Sequence, residues 1–217
     1  MRLVIFDMDG TLVDTALATL RAFEQVTAAH TVEMPDSRLI RQTIGVAAPM
    51  FYDQLFPTLP AALVRQLGAE IEAVENEETG RLGARMIFDG IWDVLSELER
   101  CGWTLFLAST GSCEHVAAVL NATGLGSFFS RIDCNEPDKR EMVSRMLTGT
   151  EVAAMIGDTA KDADAAHANG IAAIGAGYGY CGTDRYALFD HVVHKPKELP
   201  PYLAGTGPFA WQGGARP

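Results

Sequence analysis

The chain opens on an unbroken apolar run, Leu3-Val4-Ile5-Phe6, followed by Asp7 and, three residues later, Gly10. A short apolar run that stops at a turn residue predicts a buried strand. From residue 15 to about Gly83 the apolar spacing is helical and no convincing strand occurs. Asp14 and Thr15 are expected to cap the first of these helices, and Pro35, Pro49, Pro57 and Pro60 to start or break others. The acidic stretch from Glu70 to Glu78 reads as a solvated helix face. Beyond it, Ile91, Val94, Leu95 and Leu98 follow the i, i+3, i+4, i+7 pattern of an amphipathic helix capped by Asp89. Strands are expected at 103–108, 131–134, 152–156, 171–174 and 191–193. Between them lie a helix marked by Val116, Val119, Leu120 and Thr123 and ended by Gly124, one over 138–147, and an Ala-rich one closed at Gly170.

Strands alternating with helices at this spacing predict an α/β fold with a mostly parallel, doubly wound sheet. The pattern divides the chain into a core of residues 1–14 and 83–203, a helical insert of residues 15–82, and a Gly/Pro-rich tail of residues 204–217. In the tail, Phe209 and Trp211 are the side chains able to pack on the domain or on a neighbouring chain.

Composition narrows the classes. A length of 217 residues with 48% hydrophobic positions supports a substantial core. The net charge of -11, without a long Lys/Arg run, argues against nucleic-acid binding, which depends on neutralising phosphates. No segment is long enough to span a bilayer, and the four-residue apolar start is not a signal peptide. Cys101, Cys113, Cys134 and Cys181 form no Cys-x-x-Cys pair, so neither a zinc site nor a disulfide framework is expected, and a reducing cytoplasm is. Oligomeric state stays open.

The chemistry gathers at strand ends. Asp7 and Asp9 flank one residue directly after the first strand, where open α/β sheets bind ligands. Buried carboxylates this close repel unless a cation joins them, which points to a hard-metal site. Ser109-Thr110-Gly111-Ser112 follows the second strand and offers hydroxyls and amides suited to a phosphate. Lys139 opens a later helix. Gly157-Asp158-x-x-x-Asp162 follows the next strand, with both acids on one face of a first helical turn.

Together, Asp7-x-Asp9, Ser109, Lys139 and Gly157-Asp158-x-x-x-Asp162 resemble the haloacid dehalogenase superfamily, in its phosphatase branch with a helical cap inserted after the first strand. The resemblance implies a Rossmann-like core with a mobile cap, and a Mg²⁺-dependent phosphatase of small phosphorylated metabolites. It makes Asp7 the nucleophile that becomes an aspartyl phosphate and Asp9 the acid and base. It assigns the metal to Asp7, Asp158 and the backbone carbonyl of Asp9, with Thr11 and Asp162 in support. Ser109 and Lys139 would bind the phosphoryl oxygens. In relatives an Asn often follows the hydroxyl residue; here Thr110 does, so Ser109 and Thr110 both stand as phosphate-binding candidates. The loop before Lys139 lacks the Lys-Pro pairing common in relatives. Gly175-Ala176-Gly177-Tyr178-Gly179-Tyr180 is similar to a Gly-rich loop of phosphoglycolate phosphatases. Arg38, Arg41 and Arg65 are the insert's candidates for contacting an anionic substrate. A sugar phosphomutase, a haloacid dehalogenase and a non-catalytic module of the same fold are the alternatives.

Overall fold

The computed structural model describes residues 1–150, 152–180 and 182–204. The tail residues Phe209 and Trp211, and Cys181, lie outside the described residues. The expected alternation is present. β1 (Arg2–Phe6) leads to four helices, α1 (Ala16–Ala29), α2 (Ser37–Thr43), α3 (Met50–Leu55) and α4 (Ala61–Leu82). Then come α5 (Ile91–Arg100), β2 (Thr104–Ala108), α6 (Cys113–Thr123), β3 (Arg131–Asp133) and α7 (Lys139–Met146). The described residues end with β4 (Val152–Gly157), α8 (Ala160–Ala168), β5 (Ala172–Ala176), β6 (His191–Val193) and α9 (Leu199–Leu203).

The six strands form one sheet in the order β3-β2-β1-β4-β5-β6, and every pairing is parallel. This is the doubly wound order, and its direction reverses between β1 and β4. The carboxyl ends of those two strands, where Asp7 and Asp158 stand, therefore flank the crevice that such sheets use for ligands. Successive side chains of a strand point to opposite faces, and β1 shows it. Val4 and Phe6 pack with Ile91, Leu95 and Val119 of α5 and α6. Leu3 and Ile5 pack with Val143, Ala163 and Ala166 of α7 and α8. Burial on both faces is why β1 is apolar without alternation from Leu3 to Phe6. Helices α1–α4 enclose a third, separate cluster around Phe23, Ile40, Phe56, Leu67 and Ile71.

Several local expectations need correction. Thr15 stands at the N-terminus of α1 but makes no side-chain cap; the Ala16 N–H donates instead to the Tyr180 hydroxyl at 2.9 Å. Asp89 does not cap α5, because the cap position falls on Gly90, whose φ of 85° suits glycine. The acidic run of α4 is only partly solvated: Glu78 is buried and pairs with Arg21 and Arg81.

The cysteine expectation is also overturned. Cys113 and Cys134 form a disulfide, with Cα atoms 5.6 Å apart and a sequence separation of 21. Sequence spacing leaves them unpaired, because the bond joins the first residue of α6, which follows β2, to the residue after β3, and spacing does not report that these parallel strands are neighbours. Cys113, as a bonded residue, offers no reactive thiol. Closing a loop of this length is expected to stabilise the fold by about 3 kcal/mol in the chain-entropy account. Cys113→Ser should lower the urea midpoint accordingly, and added reductant should lower the wild type to the same value while leaving the variant unmoved.

Candidate active site

The β1 run carries Asp7 to the sheet's carboxyl edge, and its N–H still pairs with the Ile156 carbonyl of β4 at 2.8 Å. The chain then turns sharply at Gly10. Its φ is +78°, and a Cβ there would lie 2.3 Å from Asp158 Oδ2, so only glycine fits. The same closeness explains the Gly-rich loop after β5. A Cβ on Gly179 would sit 2.0 Å from the Gly10 carbonyl oxygen. With the loop drawn in this far, the Tyr180 N–H donates to Asp158 Oδ2 at 2.7 Å. Tyr180 also donates its hydroxyl to Asp14 Oδ1 at 2.8 Å, and Tyr178 donates to the Thr11 carbonyl at 3.0 Å.

Lys139 is the first residue of α7 and is buried. Its ammonium donates to Asp7 Oδ1 at 2.5 Å and to Asp162 Oδ1 at 2.7 Å. Asp162 spends its other oxygen on the N–H and hydroxyl of Thr159, at 2.9 and 2.7 Å, which anchors it at the start of α8. Asp7, Asp158 and Asp162 each bring a carboxylate oxygen within 4.8 Å of the others. Burial raises the Asp7 carboxyl to about 7, aided by Asp162 and Asp9 and opposed by Lys139. Burial and the charges of Asp7 and Asp162 push Asp158 well above the usual carboxylate range. One lysine thus balances only part of three closely held acids, and a dication would supply the remainder.

The donor set fits a hard cation. Asp158 Oδ1 is buried without a hydrogen-bond partner, and Asp7 Oδ2 has none among the described residues. Both oxygens of Asp162 are engaged by Lys139 and Thr159, so Asp162 positions the lysine more directly than it could ligate a metal. Oxygen ligands of this kind suit Mg²⁺.

Ser109 is buried at the end of β2, and its hydroxyl oxygen accepts from the Gly111 N–H at 3.1 Å. Thr110 is engaged differently: its hydroxyl donates to the Gly45 carbonyl, between α2 and α3, at 3.0 Å. Lys161 donates to the same carbonyl at 2.9 Å. Thr11 is buried, and its hydroxyl has no partner among the described residues.

Asp9 is not in the carboxylate cluster. It faces His115 of α6, whose Nε2 lies 3.1 Å from Asp9 Oδ1. Burial alone would raise the Asp9 carboxyl, yet the His115 charge and hydrogen bond hold it below its ordinary value. Burial would likewise lower His115, but Asp9, Glu75 and Glu72 raise it to about 9. A cavity of about 100 Å³ opens beside Asp9, between α1–α4 and the core. Asp7, Ser109 and Lys139 do not line it. Neither do Arg38, Arg41 or Arg65: Arg38 and Arg41 border a separate groove with Tyr178 and Tyr180, Arg41 pairs with Asp14 at 3.4 Å, and Arg65 is exposed on α4.

Sequence reasoning missed His115, Tyr180, Glu72 and Glu75. His115 could have been found, because the first turn of a helix that follows Ser109 must point at the same sheet edge.

Comparison with known proteins shows the family and the fold. The profile of the haloacid dehalogenase-like hydrolases matches residues 4–176, and the chain belongs to that family. It is 34% identical over 196 residues to a probable phosphatase, IndB, of Dickeya dadantii, covering 84% of each chain. It is 28% identical over 216 residues to a phosphoglycolate phosphatase of Synechococcus elongatus, covering 92% of this chain and 95% of that one. A predicted phosphoglycolate phosphatase from Haemophilus somnus, known by its crystal structure, superposes with a TM-score of 0.80 at 19% identity, over 92% of this chain and 96% of that one.

Proposed function

We propose that the protein is a Mg²⁺-dependent phosphatase that hydrolyses small phosphate monoesters through an aspartyl phosphate on Asp7. The observation that carries the reading is Lys139 held by Asp7 and Asp162 at the end of β1, with the buried Asp158 oxygen left open beside it. Asp7 Oδ2 attacks phosphorus and the ester oxygen leaves. Asp9, which lines the adjoining cavity, gives that oxygen a proton and later takes one from the attacking water. An acid in this place favours an oxygen leaving group over a halide. Lys139 and the Ser109 hydroxyl hold the phosphoryl oxygens, where charge stabilisation dominates the chemistry. Asp7, Asp158 and the Asp9 carbonyl would hold Mg²⁺, which when bound offsets the charge of the phosphoryl group. Residues 15–82 act as a cap that excludes bulk water and admits small substrates. As part of the same reading, the enzyme works in the cytoplasm, where phosphorylated metabolites are retained and where the Cys113–Cys134 pair would be kept reduced. Among the described residues no helix is long and apolar enough to cross a membrane.

The test is turnover of p-nitrophenyl phosphate and a panel of phosphorylated metabolites, with phosphoglycolate as one arm. Chelation should abolish activity and Mg²⁺ restore it. Asp158→Ala should raise the Mg²⁺ needed by about 10-fold or more. It should also remove the rise in melting temperature that Mg²⁺ gives the wild type. Full activity in excess chelator would exclude the proposal.

A further inference from the structure

The phosphoryl group has its partners in Asp7, Ser109 and Lys139, so the rest of the substrate must occupy the cavity beside Asp9. That cavity is where an ester oxygen protonated by Asp9 would be released. Its wall from the insert is acidic. Glu72 and Glu75 of α4 face it, together with Thr19, Phe51 and Tyr52. Glu72 Oε1 accepts from the Ser112 hydroxyl at 2.7 Å, and Glu75 Oε1 accepts from the Thr19 hydroxyl at 2.5 Å. These bonds fix both carboxylates while leaving one oxygen of each free to accept from a ligand. Among the described residues neither glutamate has a Lys, Arg or His within ion-pair distance, and no Lys or Arg lines the cavity; burial raises the Glu75 carboxyl, and the charge of His115 opposes that rise. The one basic side chain there, His115, is paired with Asp9. The arginines of the insert lie elsewhere: Arg21 and Arg81 on Glu78, Arg41 on Asp14, Arg38 and Arg65 on the surface.

A pocket with acceptor carboxylates, aromatic faces and no unpaired cation repels an anionic leaving group. It accepts hydrogen-bond donors, and an ammonium gains further from the rings of Phe51 and Tyr52. We infer that Glu72 and Glu75 select phosphate monoesters whose leaving alcohol bears hydroxyl or ammonium donors, and select against leaving groups that carry a carboxylate. The inference rests on the phosphatase reading above and gives its substrate class. It sets this chain apart from what a carboxylated substrate such as phosphoglycolate would require of a cap.

The experiment compares kcat/KM for phosphoethanolamine, glycerol phosphate and phosphoglycolate in the Mg²⁺-loaded enzyme, with p-nitrophenyl phosphate as reference. At least one of the first two should exceed phosphoglycolate by 10-fold or more, and the ratio between them reports whether charge or hydroxyls count for more. In the Glu72→Gln/Glu75→Gln double variant, which keeps both acceptor oxygens for Ser112 and Thr19, that preference over phosphoglycolate should shrink at least 10-fold. A melting temperature near that of wild type checks the fold, and each single variant serves if the double one melts early. Wild-type preference for phosphoglycolate, or a preference unchanged in the variants, would overturn the assignment while leaving the phosphatase reading intact. Loss of all turnover, p-nitrophenyl phosphate included, in the wild type would overturn the phosphatase reading and this inference with it.

Discussion

Asp7→Asn is expected to lower turnover by about 10⁴-fold or more, the scale seen when a covalent nucleophile is removed. The amide keeps the shape of the carboxylate and can still meet Lys139, but it has no anionic oxygen to attack phosphorus. The same change should not harm the fold. Asp7 is one of three acids packed within 4.8 Å and balanced by a single lysine, and Lys139 keeps Asp162 at 2.7 Å. The pH dependence separates this account from simple misfolding. Burial raises Asp7 to about 7 in the folded protein, whereas an unfolded Asp titrates near 4. A raised acid costs stability as pH climbs from the unfolded value to the folded one, because the unfolded chain releases its proton first. In chelator, the wild type should therefore lose stability between about pH 4 and pH 7 relative to Asp7→Asn, by no more than about 4 kcal/mol. Urea melts at both pH values read this directly. Residual turnover at a few per cent of wild type, in protein free of deamidation, would reject the covalent route.

What could be read from the sequence divides along a physical line. β1 was legible because burial on both faces makes its apolar run continuous, and the Asp after such a run has one place to go. Asp158 was legible on the same argument from β4. Lys139 was legible only through its family context, since nothing local marks a helix-start lysine as buried. Features set by packing between distant elements were not legible. Glu72 and Glu75 sit in an acidic stretch that read as solvent-facing until α4 was laid against the N-terminus of α6. His115 took its meaning from Asp9, and Tyr180 displaced Thr15 as the partner of the first α1 amide, because the Gly-rich loop reaches across the sheet edge. The Cys113–Cys134 bond depends on β2 and β3 being neighbours, a fact of topology rather than of spacing.

Asp9→Asn should slow hydrolysis by about 10²–10⁴-fold, the range that acid–base catalysis supplies, and the loss should depend on the leaving group. His115 holds Asp9 below its ordinary value in the resting site, so Asp9 waits as a carboxylate. The arriving phosphate monoester carries negative charge, and at neutral pH it can also carry a proton. Placed beside Asp9, that charge favours the protonated acid, which then delivers its proton to the departing oxygen. An alkoxide needs this proton badly and a nitrophenolate hardly at all. The penalty for Asp9→Asn should therefore be at least 10-fold greater with glycerol phosphate than with p-nitrophenyl phosphate in the first half-reaction. Breakdown of the aspartyl phosphate, where Asp9 would act as base on water, should be slowed equally for both esters, since the intermediate is common. Single-turnover measurements separate the two steps. A penalty in the first step that is the same for both esters would point instead to lost metal affinity or a disturbed β1 turn, and the proton-transfer role of Asp9 would have to be given up.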